Sequence, residues 1–380
     1  MRKKYGLQFL IVILIIFLFS NLALAEVEIG GEIKTTVNSS IYENKTLNSL
    51  QEKLNLELFL PQLEKTDAKF EIDITKKPNQ SNLTYFIKKM YLKHKFNKIY
   101  LTAGRQPISW SFGSLINPVD YNPGAVVMDQ ETNGKYQDAV EGYLPLNWNS
   151  NISVVAGFPE TNDSLKWGVR GRTGINGYDL TINYVKDPKS FLGVPLEQIG
   201  ATVKGDLGSA GVYGAVGQYY FDVGEETVTG SSVLLGTDYS FYTQAGFGNK
   251  TTLQAEYIGI NGDNIATVLE HAGGTSSGLS LWSGLDSILN EAKYIDFLLG
   301  NYSYEIDEFS QLNLMTVMSL DDGSIMLTPR YTNQLGSSLE FTISSSIFIG
   351  ESGTLFKPEL TELGYGKMNG TVQAELSYIF

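Results

Sequence analysis

Cysteine is absent from all 380 residues, so disulfides, thiolate metal sites and a lipidated N-terminal cysteine are excluded. Histidine occurs only at His94 and His271. That leaves little material for a serine–histidine nucleophile or a multi-histidine metal centre, and no cofactor motif takes their place. Basic side chains are also scarce, 28 against 41 acidic ones, for a formal charge of −13. A chain so acidic offers no phosphate-neutralising surface, which excludes nucleic acid as a partner. Past the N-terminus no apolar run is long enough for a transmembrane helix. A membrane-spanning reading therefore requires a closed barrel, in which every backbone N–H and C=O is paired.

The one long apolar run sits at the start. Arg2, Lys3 and Lys4 precede the stretch Phe9 to Phe19, and Ala23-Leu24-Ala25 follows as a small-residue cleavage site. Residues 1–25 read as a secretory signal peptide cut after Ala25, with 26–380 as the mature domain. An uncleaved anchor helix is the alternative, but the run is short for a membrane span.

From Val27 onward the pattern has period two. Leu54, Leu56 and Leu58 alternate with Lys53, Asn55 and Glu57, and Ala68, Phe70, Ile72 and Ile74 alternate with Lys69, Glu71, Asp73 and Thr75. Charges set regularly between apolar residues give each strand one wet face and one greasy face. The same alternation recurs at Tyr85–Phe96, Ile99–Gln106, Ala139–Leu146, Ile152–Phe158, Leu165–Arg172, Tyr178–Tyr184, Gln198–Asp206, Val212–Phe221, Ser232–Phe241, Thr251–Gly259, Tyr294–Tyr304, Leu312–Leu320, Ser324–Tyr331 and Leu339–Phe348. With the first and last segments, eighteen strands are expected, sixteen being the alternative. Short links such as Gly205-Asp206-Leu207-Gly208 alternate with long ones, roughly Pro107 to Asp138, Asn261 to Ala292 and Gly350 to Asn369. Leu279, Trp282, Leu285 and Leu289 have helical spacing within the second of these, either an external helix or a lumen plug.

The final strand carries a fully apolar parity, Val372, Ala374, Leu376, Tyr378 and Phe380. It resembles the closing strand of bacterial outer-membrane β-barrels, which end on an aromatic residue. Within the chain, Gly104-Arg105-Gln106 with Trp110 and Asn117-Pro118-Val119-Asp120 is similar to a pattern found after an early strand in large porin-like proteins. The resemblance implies an all-β transmembrane antiparallel barrel in the bacterial outer membrane, with outer-membrane lipid around it, small hydrophilic solutes as cargo and a homotrimer as the assembly. Pro107, Pro118 and Pro123 take the segment out of the sheet, either as a constriction loop carrying Asp120, Asp129 and Glu131 or as an external cap. Arg105 has lipid-facing parity, so either a bulge re-aims it or it snorkels.

Assigning each strand's polar parity to the lumen gives an acidic set of Glu57, Glu71, Asp73, Glu141, Asp179, Asp238, Glu256, Glu340 and Glu375. The smaller basic set is Lys69, Arg170, Arg172, Lys204 and Arg330, with Lys53 and Lys166 near the rim. The expected function is passive diffusion of small hydrophilic solutes with a weak cation preference. A substrate-specific channel for oligosaccharides or organic anions, and a non-conducting structural or adhesive barrel, are the alternatives. No residue pair is marked for catalysis, and no enzyme activity is expected.

Overall fold

The computed structural model describes residues 27–61, 63–77, 82–110, 112–113, 117, 119–122, 136–158, 165–190, 194–223, 226–243, 249–261, 294–357, 359–360 and 365–380. The signal-peptide reading and the helical spacing in the second long insertion lie outside them.

Each expected strand is present, and most are longer than expected. They are β1 (Glu28–Tyr42), β2 (Thr46–Phe59), β3 (Thr66–Lys76), β4 (Thr84–Phe96), β5 (Ile99–Pro107) and β6 (Tyr136–Pro145). Then follow β7 (Ser150–Gly157), β8 (Lys166–Ile175), β9 (Tyr178–Asp187), β10 (Leu196–Leu207), β11 (Ala210–Val223) and β12 (Glu226–Tyr242). The last six are β13 (Lys250–Asn261), β14 (Tyr294–Glu305), β15 (Ser310–Ser319), β16 (Ile325–Gln334), β17 (Leu339–Ile349) and β18 (Gly366–Ile379), with a two-residue ladder at Glu359–Leu360 beside the last. Every neighbouring pair is antiparallel, and β1 pairs with both β2 and β18, so the sheet closes on itself. The longest connections all lie at one end of the barrel, the loop end, and most of those at the other, the turn end, are short, although residues 43–45 and 320–324 make short links at the loop end too. Asn176-Gly177 makes one of the tight hairpins, both residues at positive φ, as a two-residue turn matched to strand twist requires.

Burial runs opposite to that of a water-soluble barrel. Glu71 and Asp73 are each 7% exposed, while Ile29 and Ile33 on the other parity are 63% and 51% exposed. Aromatic residues on the outward parity crowd the turn end, among them Phe96, Tyr239, Tyr378 and Phe380. This is the arrangement of an interfacial girdle around an apolar belt.

Not all inward residues are polar. Leu234, Ile258, Phe297, Leu299, Val317 and Met326 face inward and are buried in one cluster with Leu355 and Phe356 of the loop after β17. That loop is clamped by Asp322, whose carboxylate accepts from Leu355 N at 2.8 Å, while the Ser324 hydroxyl accepts from Phe356 N at 3.3 Å. Burial alone raises the Asp322 pKa, but the donors from Leu355 and Ser324 prevail and hold it below its ordinary value. A depressed carboxylate contributes stability above its unfolded pKa and loses it as pH falls through the folded one. The residue 350–357 turn is therefore expected to stay protease-resistant down to about pH 4 and to open only in stronger acid. Digestion across a pH series with an acid-active protease checks this.

Candidate functional site

The segment after β5 turns inward and lies along the inner wall formed by β7 to β13. Ile108, Trp110, Asn117, Val119, Asp120 and Tyr121 are all buried. Of the two readings left open by the prolines, the described part of this loop follows the lumen-folded one.

Missing side chains on the wall make room for it. Gly168, Gly200 and Gly217 stand on the inward parity, and a Cβ at Gly200 would lie 2.5 Å from Val119 Cγ1, one at Gly168 2.9 Å from Trp110. The Gly200→Val variant should lift the loop from the wall at a cost of about 1–3 kcal/mol. A changed open-channel conductance with an unchanged barrel would register it.

Polar contacts pin the same segment. Asp120 Oδ1 accepts from Trp110 N at 2.8 Å and Tyr121 N at 2.6 Å, and Oδ2 from Ser109 Oγ at 3.1 Å. The wall reaches in through Gln198 Nε2, which donates to the Asp120 carbonyl at 3.3 Å, and Asn183 Nδ2, which donates to the Val119 carbonyl. Lys166 donates to Asn122 Oδ1 at 2.8 Å, pairs with Asp187 at 2.8 Å and lies over the Tyr121 ring. Asp120 is only 2% exposed, so its carboxylate acts as the staple of the loop rather than as a charge on the channel surface. Asp129 and Glu131 lie outside the described residues.

Most of the remaining candidates fall into two groups on the lumen wall. On β2 to β4, Asp73 pairs with Lys53 and Lys88, both at 3.1 Å, and Glu71 with Lys88 at 3.5 Å and Lys89 at 2.5 Å. Asn55 donates to both carboxylates, and Glu57 lies 3.8 Å from Lys69. Strict alternation misses Lys88 and Lys89, because adjacent residues cannot share a face. The register shifts between Glu71 and Ile72, a β-bulge that turns both lysines inward. The paired lysines in sequence were the only signal of it.

The second group lies around the in-folded loop. Arg170 sits over the Trp110 ring at 5.5 Å, within electrostatic reach of Glu141, and Lys204 approaches the Phe112 ring at 6.0 Å. Arg172 pairs with Asp179 at 2.6 Å. Glu256 is buried beneath the loop, accepting from the Tyr213 hydroxyl and from Gln254 Nε2 at 2.9 Å. Asp238, Arg330 and Glu340 take inward register positions on β12, β16 and β17, apart from both groups. Arg105 is not in lipid: preceded by Gly104 at φ 124°, it lies over Phe86, donates to the Ile87 carbonyl at 2.6 Å and approaches Asp138 at 3.4 Å.

A closed barrel, apolar outside and charged inside, with an early loop laid along its inner wall, has the fold of bacterial outer-membrane porins. Solved structures of that class share it. OccAB1 of Acinetobacter baumannii superposes with a TM-score of 0.56 at 10% identity, covering 93% of this chain and 96% of its own. For OccD3 (OpdP) of Pseudomonas aeruginosa the TM-score is 0.53 at 9% identity, with 93% and 91% covered. OccK8 (OprE) of the same species gives 0.53 at 9%, with 93% and 98% covered. No family model matches the sequence, and no curated protein matches it.

Proposed function

We propose that the protein is an outer-membrane channel for passive diffusion of small hydrophilic solutes, its turn end in the periplasm and its loop end outside the cell. The reading is carried by the inverted burial, since a barrel of this strand number with charged residues inside leaves an aqueous lumen. Liposomes containing the protein should swell in sugars of graded size and stop at a cutoff. Impermeability to all of them would end the reading. The barrel's outward apolar belt suits a homotrimer surrounded by lipid, which the mass of the unheated, detergent-extracted protein tests.

Ion preference follows from the inner charges. Parity alone favours acids, but Lys88 and Lys89 join the basic set through the bulge, and Lys34 pairs with Glu375 at 3.0 Å. Most of the fixed charge is thus compensated within the wall. The expected cation preference is small and fades as salt rises, because an open lumen screens charges beyond about 8 Å at physiological ionic strength. The reversal potential in a dilute KCl gradient measures it, and a clear anion preference would refute it.

A further inference from the structure

The lumen has two chemically different walls. One carries the ion-paired groups on β2 to β4 and β8 to β10 described above. The other runs from β12 through β18 to β1, where Asp238, Glu340 and the Lys34–Glu375 pair also face inward, and along it one register row joins Asn38, Gln373, Ser344, Arg330, Asn313 and Ser303, each the direct partner of the next. The row continues through Thr252 to Ser240 on β12, whose hydroxyls pair at 2.9 Å. Arg330 is the only charged member of the row.

Two consequences follow from this register. First, hydrogen-bonded rows run across strands that tilt by about 40° from the barrel axis, so the row climbs along the lumen rather than ringing it at one depth. A solute crossing the barrel meets it as a continuous track. Second, every side chain in the row but Arg330 is uncharged, and together they offer donors and acceptors, Gln373 also donating to Glu375 at 3.5 Å. Asn313 Nδ2 donates to Asn301 Oδ1 at 2.9 Å, which uses one group of each amide and leaves one donor group and one acceptor group. Gln311 likewise donates to Ser303 Oγ at 2.6 Å. Dense alternation of this kind matches a ligand that is itself uncharged and both donates and accepts at every position.

We infer that this wall is a sliding site for neutral polyhydroxyl solutes, sugars and short oligosaccharides, which exchange hydrogen bonds with the amides and hydroxyls as they pass. The inference rests on the channel reading and gives it a substrate class. A charged solute would instead be held at the fixed charges, Arg330 in the row and the paired groups elsewhere in the lumen.

Planar-bilayer recording in KCl tests it, with maltotriose as probe, a polyethylene glycol of equal hydrodynamic radius as size control and succinate as charged comparator. Maltotriose should reduce the current saturably, and the polyethylene glycol only in proportion to bulk conductivity. The Asn313→Leu/Ser303→Leu double variant should raise the half-blocking maltotriose concentration about tenfold, the loss of one or two hydrogen bonds. Asn313→Gln should restore part of it, and the outward-facing Ser345→Leu should leave it unchanged. Equal responses to maltotriose and polyethylene glycol, saturable block by succinate alone, or an unshifted double variant would each overturn the inference while the channel reading stood. A refolded barrel that passes no current would overturn both.

Discussion

Replacing Asp120 with alanine should detach the in-folded loop from the barrel wall while leaving the barrel closed. Its carboxylate answers Trp110 N, Tyr121 N and Ser109 Oγ in a buried setting, and alanine orphans all three donors. Charged hydrogen bonds contribute roughly 1.5–3 kcal/mol each and do not add, so a local loss of about 3 kcal/mol is expected. The strand ladders do not depend on it. Open-channel conductance should therefore rise and flicker, with heat-resistant gel mobility retained. Asp120→Asn keeps one acceptor oxygen and should fall between the two. An unchanged conductance trace for Asp120→Ala would show that the glycine pockets and the contacts from Asn183, Gln198 and Lys166 hold the loop without the carboxylate.

The second large effect is expected at Lys88. Its ammonium bridges Glu71 and Asp73, and methionine of similar length would leave both carboxylates to Lys53, Lys89 and Asn55. Breaking a buried pair commonly costs 3–5 kcal/mol. Lumen water screens this cluster, so about 2 kcal/mol is the expected loss in a urea unfolding midpoint. The same variant removes one inward positive charge and should move the reversal potential toward cations. Stability and selectivity thus shift together, and a selectivity change without a stability change would mean that the bridge is not formed.

These two residues mark where the sequence was legible and where it was not. The strands could be read because the side-chain period is two and one face of each must be apolar in lipid. Their lengths could not: β12 reaches back to Glu226, six residues before the expected start, through Thr227, Thr229 and Ser231, whose polarity carries no facing signal. The lumen assignment by polarity also passed over Leu234, Phe297 and Val317, which face inward because loops cover them. Asp120 stood out as an acid after proline, yet its role depends on which wall the loop meets. That choice is made by absent side chains at Gly168, Gly200 and Gly217, and a glycine in sequence does not say what fills its space. Lys88 escaped because a bulge is a property of two strands in register, not of one.

The pairing of β1 with β18 has a kinetic consequence. Almost every other ladder joins strands adjacent in the chain, but this one joins Thr36 to Glu375, 339 positions away. The entropy of closing so long a loop exceeds that of a ten-residue hairpin by only about 3 kcal/mol. Its order in time is another matter, because hairpins form locally and this seam must wait for all of them. A reciprocal pair of hydrogen bonds, Gly31 N to the Phe380 carbonyl at 3.1 Å and Phe380 N to the Gly31 carbonyl at 3.0 Å, extends the seam to Phe380. Until it forms, two long strand edges stay open and adhesive, and the slowest step of assembly is also the one most exposed to aggregation.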